Sequence, residues 1–133
     1  MDDHDSNALR LETFLCFSVY AASHAFNRIY KPLLDALELT YPQYLVMVTL
    51  WEEDDQPVRS IGEKLFLESS TLTPLLKRLE AAGLVKRTRD PKDERSVRIT
   101  LTAAGRELRQ KALDVPRCVG EVAELDLSTI KRL

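Results

Sequence analysis

The chain has 133 residues, 44% of them hydrophobic and 30% charged, with a formal net charge of −2. That length suits one domain with a real core, and the composition is ordinary for a mostly helical globular protein. No run approaches the roughly 18 uncharged apolar residues of a membrane span, and the acidic start Met1-Asp2-Asp3-His4-Asp5 is unlike a secretory or transit peptide. A cytoplasmic protein without a membrane is expected.

The small net charge hides a segregation. Residues 1–57 carry 3 basic and 10 acidic groups, residues 58–98 carry 10 and 6, and residues 99–133 carry 6 and 5. A basic middle between acidic and neutral ends is the electrostatic footprint of a surface that meets DNA, although a merely solvated face has the same charge pattern.

From about Ser6 to Leu37, apolar residues recur at helical spacing: Leu11, Leu15, Val19, Ala22, Phe26, Ile29, Leu33. This predicts one long helix, bent at Pro32 where a backbone donor is missing. A second apolar set, Phe14, Phe17, Ala21 and Ala25, widens the stripe beyond what one face needs, so the helix is expected to meet a partner chain. Thr40-Tyr41-Pro42-Gln43 spells a capping box for a second helix through Trp51, which ends in the acidic loop 52–57. A short helix from about Ser60 to Phe66 follows, then a tight turn. A further helix, with Ser70 as its expected cap, runs to Ala82, and Gly83 is placed to close it in the left-handed conformation.

After Gly83 the period becomes alternating: residues 85–89 read as a strand, 90–94 as a turn and 96–101 as the return strand. Thr102 caps another long helix, interrupted at Pro116. Ser128 begins a last helix that stops at once at Leu133, and a longer natural chain is expected from that abrupt end. The fold class is therefore mostly α with a small β-hairpin. Residues 58–101 are expected to form a winged helix-turn-helix for DNA, with 1–57 and 102–133 as the helical remainder of the chain.

The second helix of that unit opens Ser69-Ser70-Thr71-Leu72-Thr73-Pro74. Its hydroxyls and proline ring let the backbone approach base edges and thymine methyls, and Lys77 and Arg78 one turn later reach phosphates or guanine. The hairpin is long and basic, with Arg87, Arg95 and Arg98 suited to phosphate or minor-groove contact. Asp93, two residues before Arg95, is expected to orient that guanidinium by a bidentate pair.

The run LTPLLKRLEAAGLVKRTRDPKDERSVRITLTAAG closely resembles the MarR family of regulators, whose wing carries an Asp-x-Arg-Ser motif, here Asp93-Glu94-Arg95-Ser96. The resemblance covers nearly the whole chain. It implies a homodimer whose helical homodimerisation region, residues 1–57 and 102–133, interlaces the terminal helices, and whose two wings straddle a palindromic double-stranded operator. The run LRLETFLCFSVYAASHAFNRIYKPLLDALELTYPQYLVMVTLWE resembles the organic-hydroperoxide-sensing branch, the OhrR regulators. That likeness implies a repressor in which an organic hydroperoxide oxidises Cys16 to a sulfenic acid. It further implies that Tyr30 and Tyr41 hydrogen-bond the thiolate, and that Cys118 of the other subunit resolves the acid as a disulfide, releasing the operator.

The residue types suit that chemistry. A thiolate is the nucleophile, hydroxyl donors stabilise it, and a second thiol makes a transient oxidation lasting. Phe14, Phe17 and Phe26 would favour a fatty or aromatic hydroperoxide. Tyr30 lies 14 residues after Cys16, roughly 21 Å along a continuous helix. Contact between them therefore requires the antiparallel first helix of a partner, whereas Tyr20, four residues from Cys16, is placed to pack beside it.

Plainer readings stand beside these: an inert core thiol at Cys16, ordinary interface rings at Tyr30 and Tyr41, an incidental Cys118. A MarR-type repressor released by a small phenolic ligand is the alternative function, and a thiol peroxidase finds no matching motif. His4 and His24 are isolated, and two cysteines are too few for a closed zinc site without both histidines, so no metal is expected. No cofactor is expected, and a basic wing would be idle in an enzyme, so no enzyme is expected here.

Overall fold

The structure is a computed structural model that describes residues 9–122. A 3-10 turn at Leu11–Thr13 precedes α1, Leu15–Asp35. The apolar stripe predicted one helix through this region, but Phe14 is extended (φ −85°, ψ 115°) and divides it. The Thr13 hydroxyl donates to the Arg10 carbonyl at 2.7 Å, the local competition with the helical ladder expected of a short hydroxyl side chain. Pro32 lies inside α1 without ending it. The helix closes where Leu39 N–H reaches back to the Leu34 carbonyl at 3.0 Å through a left-handed Glu38 (φ 59°).

Helix α2, Tyr41–Glu52, has the expected capping box. Gln43 N–H donates to Thr40 Oγ1 at 3.4 Å and Thr40 N–H to Gln43 Oε1 at 2.9 Å. Tyr44, Val46, Met47, Thr49 and Leu50 are all buried, so α2 is covered on most sides and runs through the middle of the molecule.

The acidic loop contains an element that the sequence does not announce: β1, Gln56–Pro57, pairs with the wing. Two residues, one a proline, carry no periodicity to read. Helix α3, Val58–Leu65, starts directly after it, two residues earlier than expected. Helix α4, Ser69–Ala81, is preceded by Glu68 as its cap residue rather than Ser70, with no side-chain capping bond. The α3–α4 turn is tight enough that a Cβ on Gly62 would stand 2.7 Å from the Leu67 carbonyl oxygen. Gly83 takes φ 79°, as expected for the residue that closes α4.

Strands β2, Val85–Asp90, and β3, Asp93–Leu101, are antiparallel in a sheet of order β1-β3-β2. Only Pro91 and Lys92 separate them, so the hairpin is longer and its turn tighter than predicted. Thr102 caps α5, Ala103–Ala112, accepting from Gly105 N–H at 3.1 Å. The break before α6, Val115–Val122, falls at Leu113 and Asp114, and Pro116 sits in the first turn of α6, where its missing N–H costs nothing. The last helix expected from Ser128 lies outside the described residues. One core joins all these parts, with Met47, Leu50, Ile61, Leu72, Leu76, Leu79 and Ile99 at 0% exposure.

Candidate nucleic-acid interface and thiol site

Leu72, Leu76 and Leu79 anchor one side of α4 in the core and turn Ser69, Ser70, Thr71, Pro74, Lys77 and Arg78 outward, with Thr73 half-buried. Between the start of α4 and the wing runs a groove of about 450 Å³, with Ser69, Thr73, Arg87 and Arg95 on its walls. Glu80 holds the Arg87 backbone through a 2.9 Å hydrogen bond from Arg87 N–H. The Arg87 Nε is buried and, among the described residues, without a hydrogen-bond partner. Leaving such a donor unmade costs about 1–3 kcal/mol, and an anionic oxygen in the groove would satisfy it. Phe66, left-handed at φ 58° and 95% exposed, stands on the same side of the turn as Ser69. Nothing in the hydrophobic pattern marked it as a surface residue.

Two expectations for the wing change. The Asp93 carboxylate accepts from the Arg95 backbone N–H at 3.1 Å, just as Asp90 accepts from Lys92 N–H at 2.9 Å. Short acidic side chains in a tight turn bond the nearby backbone, and the Arg95 side chain is left exposed. Arg98, expected on DNA, is instead turned to the protein. Its Nε and Nη2 donate to the carboxylate and the backbone carbonyl of Asp55, each at 2.8 Å, and its Nη1 lies 3.6 Å from Asp90 Oδ2. The Asp55 hydrogen bond, first of all, holds its guanidinium above its ordinary pKa.

Gln56 also escaped the sequence reading. It is buried, and its amide is fully used: Nε2 donates to the carbonyls of Thr49 and Glu53, and Oε1 accepts from Ser60 Oγ at 3.1 Å and Lys64 Nζ at 2.9 Å. This knot fixes α3 to the end of α2.

Cys16 and Cys118 are both free thiols, the first exposed, the second half-buried. Cys16 is the second residue of α1, on a stretch whose apolar side chains face out of the chain: Leu15 is 79% and Val19 61% exposed. The Tyr20 ring meets Phe17 and His24 at 6.4 and 4.4 Å between centroids, and those are its ring partners. Cys118, on α6, faces a groove of about 350 Å³ with Ile29, Pro32 and Leu33 of α1.

Tyr30 stacks at a tilt on Tyr41, centroids 4.9 Å apart, with Tyr44 6.0 Å from Tyr30 and 6.5 Å from Tyr41. Burial, then the Tyr41 phenol, raises the Tyr30 pKa; burial, then Tyr30 and Tyr41, raises that of Tyr44. Both therefore stay protonated donors at neutral pH. Tyr30 and Tyr41 open on a second groove, of about 430 Å³, with Asn27, Thr40 and Pro42. Among the described residues no group of histidine, cysteine and acidic side chains could hold a metal ion, and no helix is long and apolar enough to cross a membrane.

The family model described as transcriptional regulator SarA/Rot matches residues 28–112. The HTH-type transcriptional regulator TtmR of Methylorubrum extorquens (strain PA1) is 54% identical over 92% of this chain, which spans 63% of that protein's length. The organic hydroperoxide resistance transcriptional regulator of Bacillus subtilis (strain 168) is 46% identical over 94% of this chain and 85% of its own. AbfR of Staphylococcus epidermidis, in a structure of the reduced protein bound to DNA, superposes with a TM-score of 0.77 at 41% identity over 96% of this chain and 85% of that one. Its disulfide form superposes at 0.72 and 41%, over 99% and 98%. The chain belongs to the MarR family of winged helix-turn-helix transcriptional regulators, in the branch of the organic hydroperoxide resistance regulators.

Proposed function

We propose that this chain is the protomer of a homodimeric repressor that holds a palindromic double-stranded operator while reduced and releases it when an organic hydroperoxide oxidises Cys16. The Bacillus relative's role in organic hydroperoxide resistance and AbfR's capture both on DNA and in a disulfide form support the reading. The observation that carries it is the unbroken α1, Leu15–Asp35. It sets Cys16 about 21 Å from the Tyr30 position, yet leaves the apolar surface around Cys16 exposed. Donors for its thiolate must come from the tyrosines of a second copy lying antiparallel on that surface.

The Cys16 thiolate attacks the terminal oxygen of the hydroperoxide. The O–O bond breaks, the alkoxide leaves and takes a proton as the alcohol, and the sulfur, two electrons poorer, becomes a sulfenic acid. The partner's Cys118 thiolate then attacks that sulfur, an S–S bond forms and the hydroxyl departs, protonated, as water. At about 100° per residue, the Cys118 groove, on Ile29, Pro32 and Leu33, and the tyrosine groove, on Asn27, Tyr30 and Leu34, lie on different sides of α1. Moving Cys16 from one to the other obliges the two α1 helices to shift, and a packed interface turns such a shift into a changed spacing of the two α4 helices.

In the DNA-binding role of 58–101, Ser69, Ser70, Thr71, Thr73 and Pro74 face base edges, and Lys77, Arg78, Arg87 and Arg95 meet phosphates. Residues 1–57 and 102–133 hold the dimer. Operator affinity measured before and after cumene hydroperoxide should fall for the wild type and hold for Cys16→Ser. Cys118→Ser should lose the disulfide-linked dimer on a non-reducing gel. A wild type that binds equally well after the oxidant overturns the redox reading.

A further inference from the structure

The 12-residue helix that carries Tyr41 at its first position ends beside the polar cluster that holds the wing. Asp54 Oδ1 accepts from Leu101 N–H of β3 at 2.8 Å and from Asp55 N–H at 2.8 Å. Asp55 is left-handed, φ 58°, a conformation that costs a non-glycine residue and persists where surroundings hold it. What holds it is Arg98, bonded to both its carboxylate and its carbonyl, with a third guanidinium nitrogen toward Asp90. Asp90 sits where the β2–β3 register slips, after Arg89. One planar guanidinium thus spans the loop after α2, the middle of β3 and the outer end of β2. The β1–β3 pairing adds little to this, since it spans two residues and one of them, Pro57, has no N–H.

We propose that Asp55 and Arg98 are positioning residues that couple the tyrosine end of α2 to the wing, so that a shift of Tyr41 re-aims the wing on DNA. The proposal rests on the redox reading above and adds the path by which the signal leaves the thiol site. Helix α2 is a rod of about 18 Å, buried along most of its length, and a small rotation at Tyr41 must reappear at its other end. There a fork of two short, directional bonds passes it on, where a lysine's point charge would let the wing swivel. The two residues need touch neither DNA nor peroxide.

The test measures operator affinity in the reduced and the cumene-hydroperoxide-treated protein for wild type, Arg98→Lys, Asp55→Asn and the double variant. Asparagine keeps the left-handed backbone and lysine keeps the charge, so both variants should fold. The ratio of the two affinities measures coupling between sites. It should shrink about tenfold in each single variant, and no further in the double, while reduced protein still binds operator. Equal losses in both redox states, with the ratio intact, would overturn the coupling role and leave the redox reading standing. A wild-type ratio of one would remove the redox reading and this proposal together.

Discussion

The rings of Tyr30 and Tyr41 stand 4.9 Å apart between centroids at 57°, and this contact joins the C-terminal half of α1 to the first residue of α2. Such tilted pairs contribute about 0.5–1.5 kcal/mol beyond their burial. Neither hydroxyl bonds another described residue, so both protons are available to an acceptor that enters the groove between Asn27 and Pro42.

In the proposed site that acceptor is the thiolate of the partner's Cys16. Tyr30→Phe and Tyr41→Phe keep the rings and remove the donors. Each should slow oxidation of Cys16 by cumene hydroperoxide about tenfold, the effect of one charge-assisted hydrogen bond, and leave the reduced protein's operator affinity unchanged. Loss of free thiol against time measures it. Wild-type rates in both variants would detach the tyrosines from the thiol.

The same ring cluster sets an alkaline limit. Burial raises the phenols of Tyr30 and Tyr44 above 10.0, so the folded state favours their protonated forms more than the unfolded chain does. That stabilisation is whole below pH 10.0 and is lost as pH rises through the raised values. Urea midpoints measured from pH 8 to pH 11 should decline above about pH 10, and Tyr44→Phe should flatten the decline. Equal slopes for variant and wild type would contradict the burial origin.

Much of this architecture was legible because local chemistry and packing agree. The Thr40–Gln43 box, the left-handed Gly83, and the alternation of Val97, Ile99 and Leu101 in the wing are each written in a few adjacent residues. What escaped depends on residues far apart. Strand β1 exists because β3 passes beside Gln56 and Pro57. Arg98 alternates with the apolar residues of β3 and so looks like a solvent-facing cation, but its partner Asp55 is 43 residues earlier. Asp93 bonds the Arg95 backbone rather than its guanidinium because the turn is two residues shorter on its far side than the pattern indicated. The interruption of the helix after Thr102 was legible; its position, ahead of Pro116, follows from proline's preference for a first turn.

The capping box gives a local test of stability. Thr40→Ala removes the acceptor of Gln43 N–H, and Gln43→Ala removes the acceptor of Thr40 N–H. Each should cost about 1 kcal/mol in urea denaturation at a fixed protein concentration, and the pair less than the sum, because the two bonds share one geometry. Strict additivity would mean that the reciprocal arrangement is not cooperative.

The wing cations divide into two groups that salt can tell apart. Arg87 offers a buried, unpartnered Nε to the groove and Arg95 an exposed guanidinium on its wall, whereas Arg98 spends its donors on Asp55 and Asp90. A side chain that neutralises one phosphate releases about 0.9 of a counterion, and a symmetric dimer does so twice. Arg87→Ala and Arg95→Ala should therefore each flatten the plot of log affinity against log salt by about 2 and weaken binding alike across operator variants. Ser69→Ala and Thr71→Ala should keep the slope and alter base preference instead. Arg98→Ala should change affinity without changing the slope, since its charge is already met by carboxylates within the chain. A slope that falls for Arg98→Ala as far as for Arg95→Ala would put its guanidinium on the DNA and dissolve the division.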